Sequence, residues 1–133
     1  MRRYVIDAGV LALFFAGDGR VKRFFDEVEA GRAKGYVCDV NLAEFYYKAC
    51  EKLGRPVAEL RYYQLRSSKL SIVSTDEELT KLAGDEKCRH RRALSLADCF
   101  ALALAKREGA VLLTTDAELA RLAEVEVKHF PVS

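Results

Sequence analysis

The sequence predicts an α/β fold, a three-layer α/β/α sandwich built on a parallel sheet. Three observations predict it. Short apolar runs alternate with longer stretches of helical periodicity along the whole chain. Those short runs are mostly continuously apolar, the pattern of strands buried on both faces. Apolar residues make up 50% of the 133 positions and charged residues 32%, which is enough for one real core and too apolar for a disordered chain. The length fits a single domain over residues 1–133.

The elements follow in order. Tyr4-Val5-Ile6 is the first strand, and residues 10–15 start a helix. Val21, Phe24, Phe25 and Val28 have helical spacing within a second helix over 21–30, which Gly31 and Gly35 end. Tyr36-Val37-Cys38 is the second strand. A helix over 40–53 stops at Gly54, with Pro56 just beyond, and another over 57–65 has Pro56 in its first turn. Leu70-Ser71-Ile72-Val73 is the third strand. Thr75-Asp76-Glu77-Glu78 has the Thr-x-x-Glu form of a capping box, and Ser95-Leu96-Ala97-Asp98 opens the next helix by the same logic. That helix ends at Gly109. Ala110-Val111-Leu112-Leu113 is a buried strand, Thr115-Asp116-Ala117-Glu118 caps a short helix, and 125–130 is the last strand. No repeat, low-complexity tract or long linker interrupts the order.

Several classes are excluded. A balance of 22 basic to 20 acidic residues, net +2, is not the footprint of a protein that holds nucleic acid by bulk charge, although a local site remains open. No uncharged apolar run is long enough for a membrane span. Asp7 interrupts the apolar stretch a signal peptide would need, which predicts a cytoplasmic protein. The cysteines at 38, 50, 88 and 99 match no zinc spacing, and Cys38, Cys50 and Cys99 read as small core residues. One Asn, one Gln and one Met among abundant Lys, Arg and Glu point to a thermophilic source.

Four acids stand in apolar surroundings. Asp7 ends the first strand, and Glu44 lies in Asn41-Leu42-Ala43-Glu44-Phe45. Asp98 is the only charge between Ala93 and Ala105, and Asp116 follows Val111-Leu112-Leu113-Thr114-Thr115. An isolated buried carboxylate costs several kcal/mol unless it is paired or bound to metal. Asp7 and Asp116 fall at strand carboxyl ends, and Glu44 and Asp98 at the first turns of helices, so all four can reach the sheet edge where α/β folds bind ligands. Oxygen donors without His or Cys suit Mg²⁺ or Mn²⁺. Each acid also has a plain structural reading open to it, as a helix cap or a first-turn acid.

Two further features carry a weaker signal. Lys87-Cys88-Arg89-His90-Arg91-Arg92 is the one dense basic run, and Arg89, Arg91 and Arg92 are candidates for phosphate contact. A solvated helix end, with basic residues favoured by the helix dipole, is the stronger reading of the two. Tyr46, Tyr47, Tyr62 and Tyr63 suit base stacking or packing at an interface.

Taken in sequence, Tyr4-Val5-Ile6-Asp7-Ala8-Gly9-Val10, Asn41-Leu42-Ala43-Glu44, Leu94-Ser95-Leu96-Ala97-Asp98-Cys99 and Leu112-Leu113-Thr114-Thr115-Asp116-Ala117-Glu118-Leu119 resemble a PIN domain, specifically a VapC-type toxin ribonuclease. The resemblance runs from Arg3 to about Phe130 and rests on order and spacing together. It implies a five-stranded parallel sheet, an acidic cluster binding Mg²⁺ or Mn²⁺, and endonucleolytic cleavage of RNA. Asp7, Glu44, Asp98 and Asp116 match the family's catalytic and metal-binding acids, while Ser95 and Thr115 match its supporting hydroxyl positions. The resemblance further implies a cognate antitoxin and a homodimer. One departure stands out: the family carries Thr or Ser after the first acid and then Ser, Asn or a similar residue, whereas Ala8-Gly9 follow here. Two alternatives stay open, a housekeeping PIN nuclease of RNA processing or DNA repair, and a PIN-fold interaction module without chemistry. A phosphoryl-accepting receiver domain is excluded, because position 8 is Ala and Lys128 falls within the last strand.

Overall fold

The computed structural model describes residues 1–132. Five strands form one parallel sheet: β1 (Arg2–Ile6), β2 (Ala33–Cys38), β3 (Ser71–Val73), β4 (Val111–Thr114) and β5 (Val127–His129). Their spatial order is β3-β2-β1-β4-β5. Seven helices connect them: α1 (Ala8–Phe15), α2 (Gly19–Glu29), α3 (Asp39–Leu53), α4 (Arg55–Ser67), α5 (Glu77–His90), α6 (Leu96–Glu108) and α7 (Ala117–Leu122). The predicted three-layer α/β architecture is the observed one.

Strand alternation divides the core in two. Tyr4, Ile6, Val111 and Leu113 point to one face, where they meet α1, α2, α3 and α4 through Leu11, Phe24, Phe25, Leu42 and Leu65. Val5 and Leu112 point to the other, against Leu79 and Ala83 of α5 and Leu119 of α7. α6 is buried without a break from Cys99 to Ala105, because the sheet lies on one side of it and α5 packs against it. A helix apolar all round needs such cover.

Four local readings change. Gly35 does not end a helix but sits inside β2, where a Cβ would stand 2.6 Å from Leu70 Cδ2 and 3.0 Å from Val28 Cγ2. Its role is close packing of a helix and a loop over the strand. The cap of α5 is Asp76, one residue later than the Thr75 reading, and its carboxylate accepts from Leu79 N–H at 2.7 Å. Asp116, rather than Thr115, caps α7 in the same way. Glu44 lies in the second turn of α3, since that helix starts at Asp39. All four cysteines are free, with Cys38 and Cys99 buried and Cys50 only half-buried. No helix among the described residues is long and apolar enough to cross a membrane.

Candidate active site

The strand order reverses direction between β1 and β4, and the crevice beyond their carboxyl ends is where such sheets bind ligands. Asp7 opens this crevice. Its N–H donates to Leu113 O at 3.1 Å, extending the β1–β4 ladder by one bond. Its Oδ1 accepts from Val10 N–H at 2.9 Å and so caps α1. Its Oδ2 accepts the Thr114 hydroxyl and, at 3.3 Å, the Thr115 N–H. Thr114 Oγ1 in turn accepts from Asp116 N–H at 2.9 Å, and Asp116 Oδ1 accepts from Leu119 N–H at 2.8 Å. One hydroxyl thus ties the two strand-end acids together.

Asp98 enters from α6 through a capping box. Ser95 Oγ accepts from Asp98 N–H, and Asp98 Oδ2 accepts from Ser95 N–H, both at 3.1 Å. Glu44 enters from α3, half-buried and ion-paired to Lys48 Nζ at 3.2 Å. Asn41, one turn before Glu44 and only 1% exposed, donates its Nδ2 to Ala97 O at 3.1 Å. That bond fastens the helix of Glu44 to the start of the helix of Asp98.

The electrostatics show that the acids share one neighbourhood. Burial pushes the Asp7 carboxyl up to about 6, against the pull of its hydrogen bonds, and the charge of Asp98 pushes the same way. Burial also raises Asp98, with Asp116 and Glu44 adding to the rise and Ser95 opposing it. Lys48 answers the excess. Burial works against its ammonium, but Glu44 and the more distant Asp98 outweigh that and hold its pKa above the ordinary lysine value.

Among the described residues, no three His, Cys, Asp or Glu side chains form a ready-made metal cage. The site offers donor chemistry and uncompensated charge instead. Asp98 and Asp116 each give one oxygen to a helix start and leave the second for a ligand. Carboxylates that raise one another's pKa, with the neighbouring Cys99 buried in the core, fit a hard divalent cation such as Mg²⁺ or Mn²⁺.

The structure therefore brings Asp7, Glu44, Asp98 and Asp116 to one edge, with Ser95 beside Asp98. Thr115 reaches Asp7 through its backbone, and its side chain lies against Gly9. A Cβ on Gly9 would stand 2.0 Å from Thr115 Oγ1. The missing side chain at position 9 is thus required by Thr115, whose side chain fills that space. Sequence reasoning missed Thr114, Lys48 and Asn41. The i,i+4 spacing of Glu44 and Lys48 was a readable signal for one of them. The basic run ends α5: Arg89 pairs with Glu86 and Glu124, both at 3.6 Å, Arg91 forms the C-cap, and Arg92 is exposed. Tyr46 donates to Glu59 at 2.7 Å and packs edge-on to Tyr62, while Tyr47 and Tyr63 are exposed on the α3–α4 hairpin.

A central parallel sheet with acids gathered beyond the carboxyl ends of β1 and β4 defines a class of α/β domains with a ligand crevice at the switch point of the strand order. The chain belongs to the PIN domain family, whose model matches residues 4–125. Among solved structures it is similar to VapBC2 of Rickettsia felis bound to a DNA fragment from its promoter, with TM-score 0.77, 15% identity, and coverage of 96% of this chain and 98% of that one. It is also similar to VapC20 of Mycobacterium tuberculosis, a sarcin-ricin loop cleaving toxin, with TM-score 0.73, 21% identity, and coverage of 94% and 98%. DNA-bound VapBC of Salmonella typhimurium matches with TM-score 0.76 and 16% identity, over 97% of this chain and 98% of that one. At these identities the likeness is one of fold. No curated protein matches the chain in sequence.

Proposed function

We infer that the chain is a divalent-metal-dependent endoribonuclease, the toxin of a toxin–antitoxin pair. The observation that supports this best is the coupled group of four carboxylates at the carboxyl edge of a PIN sheet. In this reading Asp7, Asp98 and Asp116 hold Mg²⁺ or Mn²⁺. When bound, the cation supplies an activated water and neutralises charge on the attacked phosphate. Glu44, tethered by Lys48, orients the water for in-line attack. Thr114 fixes the direction of the Asp7 carboxylate, and Ser95 fixes that of Asp98. The toxin reading draws on the solved relatives, which include toxin–antitoxin complexes and a toxin that cleaves the sarcin-ricin loop. It brings with it a cognate antitoxin as partner. The exposed Tyr47, Leu60 and Tyr63 on the α3–α4 hairpin suit the face of a homodimer.

The test is cleavage of a panel of structured and single-stranded RNAs with Mn²⁺, with EDTA, and by Asp98→Asn. The expected result is cutting by the wild type with Mn²⁺ alone. Asp98→Asn keeps an oxygen for Ser95 N–H and should fold, yet lose at least about a hundredfold in rate, as loss of a transition-state charge contact does. Equal cutting by the variant would remove Asp98 from the chemistry.

A further inference from the structure

A cavity of about 390 Å³ opens beside the acid cluster, between α1 and the α3–α4 hairpin. Its near wall is Ala8 and Gly9, the two residues directly after Asp7. Its floor is apolar, from Leu13 and Phe45, and its rim carries three cations, Lys48, Lys52 and Arg61. Lys48 faces the acids through its pair with Glu44. Lys52 is exposed, one turn further along α3, and Arg61 stacks its guanidinium over the Phe15 ring at 5.1 Å. Among the described residues, neither Lys52 nor Arg61 is ion-paired to a carboxylate.

We propose that this cavity is a nucleotide subsite: it takes the base of the RNA residue beside the scissile bond on its apolar floor and that residue's phosphate on Lys52 and Arg61. The proposal deepens the ribonuclease reading and rests on it. Two physical arguments carry it. A strand that presents one phosphate to four carboxylates is repelled by them, so its next phosphate needs cations close by, and this rim supplies them along α3 from Lys48, the partner of Glu44. A base has an apolar face with a charged phosphate attached, and the cavity pairs an apolar floor with a cationic rim in the same relation. Its volume lies in the range of ordinary small-ligand pockets.

The test uses fluorescently labelled single-stranded RNA of mixed sequence, with binding read by anisotropy over a salt series in EDTA. Wild-type cleavage of the same RNA with Mn²⁺ is measured alongside. Lys52→Ala and Arg61→Gln should each weaken binding roughly threefold or more at low salt and flatten the salt slope by about 0.7. Ala12→Leu fills the cavity from an exposed helix position, so it should weaken binding while leaving the salt slope unchanged. Lys52→Arg should restore binding, and Lys81→Ala, an equal loss of charge on α5, should leave it as in the wild type. Thermal unfolding checks that each variant folds. If the wild type cuts RNA and the three cavity variants bind it as the wild type does, the subsite is overturned, the nuclease reading stands, and the cavity is left for a protein partner. If the wild type neither binds nor cuts RNA, both are overturned.

Discussion

Asp7 holds the sharpest conflict in the molecule. It is 6% exposed, and burial pushes its carboxyl from the ordinary 3.8 up to about 6. Between those two values the folded chain keeps a proton that the unfolded chain has released. Stability therefore falls as pH rises through this window, and the whole penalty is present above about pH 6. Its size is about 3 kcal/mol at most. Asp7→Asn removes the charge and keeps a carbonyl oxygen for Val10 N–H; the amide nitrogen in place of Oδ2 gives up the contact to Thr115 N–H and turns the Thr114 hydroxyl from donor to acceptor. We expect the variant to be more stable than the wild type by about 1–3 kcal/mol at pH 7.5 and no more stable at pH 4, while losing the RNA cleavage proposed above. Thermal unfolding of both proteins, free of divalent ions, checks this. An equal gap at the two pH values would mean that Asp7 titrates normally.

At the level of elements, much of the fold was legible because local chemistry and tertiary packing agree. Gly54 and Gly109, both at positive φ, stop α3 and α6 where the sequence reading puts the stops. The Ser95–Asp98 capping box is present in both of its bonds. Two of the misreadings came where two neighbouring residues compete for one cap. Thr75 and Asp76, and likewise Thr115 and Asp116, each offer a side-chain oxygen, and in both pairs the carboxylate takes the bond. Thr114 was invisible for a different reason. A Thr at the end of an apolar strand looks like any β-branched residue, and only the pairing of β1 with β4 brings its hydroxyl to Asp7. The acids were legible as anomalies against an apolar background, but their coupling depended on Asn41 joining α3 to α6. Asp98 serves as cap and candidate ligand together, and the two roles separate by substitution. Ser95→Ala removes the acceptor for Asp98 N–H and should cost about 1 kcal/mol. The expected readout is a lower urea midpoint at unchanged slope, with RNA cleavage kept within a few-fold. Loss of cleavage as large as that of Asp98→Asn would make the Ser95 hydroxyl part of the chemistry itself.

Across the whole molecule, the strand order β3-β2-β1-β4-β5 sets two halves of the chain on either side of a single crevice. The acids come from both halves: Asp7 and Glu44 precede β3, and Asp98 and Asp116 follow it. The cation proposed for Asp7, Asp98 and Asp116 would cross-link the halves of the folded state and has no such site in the unfolded chain. Binding therefore adds stability by mass action, about 2.7 kcal/mol at a free concentration one hundred times the dissociation constant. For a chain of this size that raises the unfolding midpoint by roughly 5–15 °C. The shift has a pH signature. A proton on Asp7 competes with the cation, so apparent affinity should be nearly constant above pH 7 and fall by up to about tenfold per unit below pH 6. We expect Mn²⁺ to raise the midpoint of the wild type strongly at pH 7.5 and weakly at pH 5. In Asp98→Asn the rise should be small at both. In Asp7→Asn, whose competing proton is gone, whatever rise remains should depend less on pH in this range. Thermal scans of the three proteins against Mn²⁺ concentration at the two pH values test the set together. A wild-type shift of equal size at pH 5 and 7.5 would place the cation away from Asp7. A shift preserved in Asp98→Asn would take α6 out of the site and leave the capping box as the only task of its first turn.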